Sequence, residues 1–246
     1  KNPNAKLDII LLDLGDLSTI EKFATKYKEK YKTLDILINN AGVMTTPYMT
    51  TEDGFEFQNG INHLGHFALT SHLFDLLKST KDSRLVIVSS IAHKSGVINL
   101  ENYMFEDQKA YTPMKSYSQS KLSNLLFMYE LNRRIKDKDL DIKVLAAHPG
   151  VSRTDLTRYI LKGILSVIAI PFMWLFAQAA AKGAQPQIRA ALDQNAITGE
   201  YYGPNGFKEM RGKAVVVHAE PNAHNEQDAK KLWELSEKLT KIKFNI

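Results

Sequence analysis

The chain has 246 residues, 44% hydrophobic and 24% charged, an ordinary globular composition that argues against disorder. It contains no cysteine, so disulfides, thiolate metal sites and thiol nucleophiles are excluded. The net charge of +5 is spread over Lys22 to Lys32, Arg133 to Lys143 and Lys230 to Lys243. No basic run is interleaved with stacking aromatics, so these are solvated helix faces and no nucleic-acid partner is expected.

In chain order, Lys6 to Leu12 (KLDIILL) predicts a buried strand. Ser18 and Glu21 have capping-box spacing and predict a helix to about Tyr31. Asp35 to Ile38 predicts a short strand running into Asn39-Asn40-Ala41-Gly42, followed by a helix from about Phe55 to Leu77. Leu85 to Val88 is the next strand, ending at Ser89-Ser90. A helix from about Ser116 to Ile135 follows, then a strand from Ile142 to Ala146 ending at His148-Pro149-Gly150. Beyond these come a helix near Ala184 to Asn195, a Gly/Pro/Tyr-rich turn region from Gly199 to Gly212, and a helix from about Glu226 to Lys241. Short β-branched runs separated by helices predict an α/β fold, a parallel sheet covered on both faces. The polar clusters (Asp13, Asn39, Ser90 and Pro149-Gly150) all follow the carboxyl ends of strands, where such sheets bind ligands.

Gly163 to Ala181 carries no charge but has Pro171 at its middle and no anchoring belt. This favours a buried or lid helix over interfacial membrane contact, and contact over a true span. No methionine precedes Met44, so the chain is not expected to begin at a natural start, and a missing terminus says nothing of targeting.

Tyr117 and Lys121 lie four apart, on one face of a helix. An ammonium about 4 Å from a phenol favours phenolate by roughly 4 kcal/mol, about three pKa units, which would bring tyrosine towards a working acid/base. Either Ser89 or Ser90 could aim a hydroxyl into the same cleft or simply cap a turn. Asn62 and Gly65 are poor helix-interior residues, and predict a local irregularity or close packing. His63, His66 and His72 match no common zinc spacing, so no metal is expected.

Taken together, Asn39-Asn40-Ala41-Gly42, Asn62 in an N-x-x-G helix, Ser90, Tyr117-x-x-x-Lys121 and Pro149-Gly150 resemble the short-chain dehydrogenase/reductase family in order and spacing. LDLGDL at Leu12 to Leu17, NNAGVM at Asn39 to Met44 and NHLGHF at Asn62 to Phe67 are similar to its retinol dehydrogenase-like branch. So are GEYYGPNGF at Gly199 to Phe207 and LWELSEKLT at Leu232 to Thr240. The resemblance implies a doubly wound, Rossmann-like parallel sheet forming a single domain over 1–246, with a substrate-lid region over 151–200. It implies a nicotinamide-dependent oxidoreductase acting on a small hydrophobic alcohol or carbonyl compound, with NADP(H) preferred over NAD(H). Tyr117 would be the acid/base, Lys121 its tuner and ribose ligand, Ser90 the polariser of the substrate oxygen, and Asn62 the holder of a water leading to Lys121. Asp13 and Leu14 would meet the adenine, Asn39, Ala41 and Gly42 the adenine-ribose side, and Pro149, Gly150, Val151 and Thr154 the nicotinamide. A cytoplasmic homodimer or homotetramer is the corresponding expectation. A non-catalytic dinucleotide-binding or interaction module, or an inactive fragment, is the alternative.

The family's opening strand, glycine-rich turn, helix and second strand have no counterpart here, so the domain is expected to be truncated at its N-terminus. In the doubly wound order the two absent strands would separate Lys6–Leu12 from Asp35–Ile38 by roughly 14 Å. Two outcomes are expected: a gap or a rearranged pairing beside Asp35–Ile38, and binding of NADP(H) or NAD(H) by residues 1–246 alone too weak to detect at millimolar cofactor.

Overall fold

The computed structural model describes residues 4–151 and 178–246. Thr154 and the apolar segment up to residue 177, with Pro171, lie outside the described residues. Among those described, one sheet runs in chain order: β1 Ile36–Asn39, β2 Ser83–Val88, β3 Ile142–Ala147, β4 Tyr201–Pro204 and β5 Ala214–Val217. Strands β1 to β4 are parallel and β5 returns antiparallel to β4. The helices are α1 Leu17–Lys30, α2 Phe57–Asn59, α3 His66–Ser79, α4 Pro113–Asp137, α5 Ala180–Gly183, α6 Gln185–Leu192 and α7 Glu226–Thr240.

Side-chain alternation explains why the central strands are apolar throughout. Leu85, Ile87, Val144 and Ala146 join a core with Leu64, Phe67, Leu122, Phe127 and Trp233 beneath α3, α4 and α7. Val86, Leu145 and Ala147 point the other way and pack on Ala190, Ala191 and Tyr202 beside α6. Phe67, Phe127, Trp233 and Phe244 interlock at ring separations of 4.8 to 6.2 Å. Pairs of this kind contribute about 0.5–1.5 kcal/mol each beyond area burial, and fix α7 against α4. Among the described residues no helix is long and apolar enough to cross a membrane.

Several expectations need correction. Lys6–Leu12 forms no strand: Leu7, Ile9 and Leu11 are about nine-tenths exposed, and β1 pairs only with β2 among the described residues. A buried strand needs a neighbouring ladder, and among the described residues none pairs with this segment. Instead Asp8 accepts from Lys30 Nζ at 2.6 Å and Tyr31 Oη at 2.8 Å, laying the segment along the end of α1. The rearranged pairing is not seen: among the described residues β1 pairs with β2 alone. The cap of α1 is Asp16, which accepts from Ser18 and Thr19 amides, not Ser18. The turn region after Gly199 contains β4, and AVVV at Ala214–Val217 is β5; the glycine, proline and lysine around them had concealed both strands.

Candidate active site

The site is assembled where β1, β2 and β3 end, against the first half of α4. Thr112 caps α4 and Pro113 opens it, with its fixed φ and no amide to satisfy. Upstream, the buried Glu56 accepts from Gln58 and Asn59 amides, Asn59 Nδ2 and Ser116 Oγ, the last at 2.8 Å. It ties the start of α2 to the turn of α4 that carries Tyr117. Sequence reasoning missed this carboxylate, because a lone glutamate at a helix start looks like solvated surface.

Between α2 and α3 the helix widens into a π turn, Gly60–Gly65, the irregularity that Asn62 and Gly65 predicted. The Asn62 side chain accepts from the Val43 amide at 2.8 Å, and donates to the Val43 carbonyl at 2.9 Å and Ser120 Oγ at 2.9 Å. It latches the loop after β1 onto α4. Gly42 is required there, since a Cβ would stand 2.8 Å from Asn62 Oδ1 and 3.4 Å from Lys121 Nζ. Both side-chain amide protons of Asn62 are used, while Oδ1 keeps a second lone pair and the backbone carbonyl lies 3.0 Å from His66 Nδ1.

The two serines after β2 separate. Ser89 Oγ donates to the Lys121 carbonyl at 2.7 Å and is a fastening of α4. Ser90 caps a 3₁₀ turn, Ile91–Ser95, through the Ala92 amide. Tyr117 and Lys121 are both buried. Burial pushes the Tyr117 phenol up, against the lowering effect of Ser90, and burial lowers the Lys121 ammonium to about 8. Burial, rather than Lys121, is the largest influence on the Tyr117 phenol. Lys121 Nζ lies 5.8 Å from the centre of the Tyr117 ring and donates to the Val88 carbonyl at 3.2 Å.

After β3, Gly150 has φ +66, and a Cβ there would meet the Met210 carbonyl at 2.4 Å. Val151 N donates to that carbonyl at 2.8 Å, while Gln178 donates from its amide to Val151 O and from Nε2 to Pro149 O. Elsewhere, Asn39 is buried with Nδ2 donating to Thr70 Oγ1, and Ala41 is exposed on the loop. Asp13 accepts from the Gly15 amide, and Leu14 packs on Gly65. His63 reaches Ser236, and burial pushes both His63 and His66 down to about 3. Among the described residues no group of three or more His, Asp or Glu is placed to hold a metal.

The donor set fits the nicotinamide-ribose end of a dinucleotide. Lys121 has three protons and one acceptor, Val88 O, among the described residues, and the glycine at 42 leaves backbone beside it.

A family model described as short chain dehydrogenase matches residues 1–104. The chain is 40% identical over 237 residues to retinol dehydrogenase 14 of Mus musculus, covering 94% of this chain and 66% of that protein. It is 40% identical to retinol dehydrogenase 13 of Homo sapiens, covering 93% and 67%. Among solved structures, an uncharacterised protein of Mycobacterium paratuberculosis matches at 40% identity with a TM-score of 0.76, over 96% of this chain and 76% of that one. The chain thus spans about two thirds of the length of these curated relatives. It belongs to the short-chain dehydrogenase family. Within that family it falls in the retinol dehydrogenase-like branch.

Proposed function

We propose that this chain carries the catalytic centre of a nicotinamide-dependent oxidoreductase for a hydrophobic alcohol or carbonyl compound, using NADP(H) in preference to NAD(H). The observation that carries the reading is the grouping of buried Tyr117 and Lys121, one turn apart on α4 with Lys121 Nζ 5.8 Å from the Tyr117 ring, beside Ser90 at the carboxyl end of β2. A phenol raised above its usual value near 10 is a proton donor at neutral pH, which suits protonation of a carbonyl oxygen as it is reduced. Ser90 would hold that oxygen with a second hydrogen bond, and the dry walls would strengthen both. Lys121 would turn its spare donors to the ribose hydroxyls, and Gly150 and Val151 would border the nicotinamide. When bound, the nicotinamide supplies or takes the hydride. The preference for NADP(H) and for an apolar substrate rests on likeness to the retinol dehydrogenases.

The test is Tyr117→Phe in the full-length protein. Turnover should fall by roughly 10²-fold or more while cofactor affinity changes little. Turnover retained in the variant removes Tyr117 from the chemistry.

A further inference from the structure

The glycine-rich stretch Gly199–Gly212 has no part in the chemistry above, yet it delivers one carboxylate to the back of the site. Glu209 stands between two loops. Its Oε1 accepts from Lys94 Nζ at 2.8 Å, on the turn that Ser90 caps. Its Oε2 lies 3.1 Å from His148 Nε2, at the end of β3. His148 Nδ1 accepts from the Gly150 amide at 3.2 Å, which puts the ring proton on Nε2, facing Glu209.

The backbone is bent to make this contact. Lys208 and Glu209 both have positive φ, +47 and +56, a conformation that costs about 1–2 kcal/mol for each residue with a side chain. Glycine at 203 is needed too, because a Cβ there would sit 2.1 Å from His148 Nε2. The residue after Glu209 continues the attachment, with Met210 O accepting from Val151 N at 2.8 Å. Two strained residues and a clearance for the imidazole serve a single carboxylate.

We propose that Glu209 is a positioning residue, tying the Ser90 turn to the Pro149–Val151 loop through Lys94 and His148. It thereby sets the spacing between the substrate-side hydroxyl and the nicotinamide-side loop, a role that rests on the function proposed above. Hydrogen bonding from His148 first, and from Lys94 second, holds the Glu209 carboxyl down at about 2, so both links are charge-assisted through the working range.

The experiment uses Glu209→Ala, Glu209→Gln and Lys94→Met in the full-length protein, at a temperature where circular dichroism shows each fully folded. Lys94 is on the surface, so Lys94→Met serves should the glutamate variants fail to fold. In Glu209→Ala the cofactor Kd should rise about fivefold or more and kcat fall about tenfold, with Lys94→Met showing a smaller loss in the same direction. Glu209→Gln, which still accepts from His148, should recover part of the cofactor affinity. A Glu209→Ala/Lys94→Met double variant should be little worse than Glu209→Ala alone. Folded variants with unchanged Kd and kcat, or losses that only track the unfolded fraction, overturn the proposal. Tyr117→Phe is assayed alongside: if it keeps its turnover the acid/base reading fails, while the rise in cofactor Kd must still appear for Glu209 to stand.

Discussion

Lys121 and Tyr117 each lose water on folding, and burial disfavours the charged form of both, lowering the lysine to about 8 and raising the tyrosine. Between about 8 and the unfolded value of 10.5, the unfolded chain binds more protons at Lys121 than the folded one. Stability contributed at this position therefore rises with pH across that window. Below it, the charged lysine costs the fold about 3 kcal/mol. Lys121→Met should accordingly be more stable than the parent at pH 7, by up to about that amount, and lose the rise towards higher pH while losing turnover. Denaturant unfolding of both proteins at pH 7, 8 and 9 measures this. A variant less stable at pH 7, with the same pH slope as the parent, would show that Lys121 is compensated by partners the argument omits. The lysine thus opposes the fold that holds it, which is the pattern of a residue kept for chemistry.

At the scale of elements, the π turn Gly60–Gly65 sets where Asn62 points and how closely the chain before α1 approaches. A Cβ on Gly65 would lie 2.5 Å from the Leu14 carbonyl and 2.9 Å from Leu14 Cβ. Gly65→Ala should therefore cost roughly 1–3 kcal/mol and speed amide exchange over Leu14 to Asp16; unchanged exchange would mean the contact bears no load. This irregularity was legible in the sequence because asparagine and glycine are costly inside a helix. So were β2, β3 and α4, whose apolar patterns are decided by local burial. Tyr117 and Lys121 stood out through their spacing, whereas Ser90 rather than Ser89 was singled out only by the family resemblance. What was not legible depends on contacts distant in sequence. Lys6–Leu12 has the composition of a strand, but strand formation needs a partner ladder. β4 is Tyr-Tyr-Gly-Pro, whose glycine makes room for His148, so a packing demand looked like a turn. Glu56, His148 and Glu209 act through partners 60, 61 and 115 residues away, which no local pattern announces.

For the whole molecule, His63 and His66 couple the core to acid. Burial holds both near 3 in the folded state against an ordinary 6.5, so the unfolded chain binds more protons between those values. Stability should fall as pH drops below about 6.5, reaching a slope of about 2.7 kcal/mol per pH unit from the two groups by roughly pH 5. Unfolding midpoints from pH 7 to 4 measure it, and a flat profile would contradict burial of the neutral imidazoles. The same packing of α3, α4 and α7 around these histidines holds Tyr117, Lys121 and Asn62 in place, so the core and the site should fail together in acid. The central claim is that Ser90 and Tyr117 act as one unit on a substrate oxygen. A double-mutant cycle with Ser90→Ala and Tyr117→Phe in the full-length protein tests it most directly, with turnover as the readout. The expected result is a loss of roughly 10²-fold or more for each single variant, and a double variant within about tenfold of the worse single one. Losses that simply multiply, or turnover that survives both substitutions, would contradict the account.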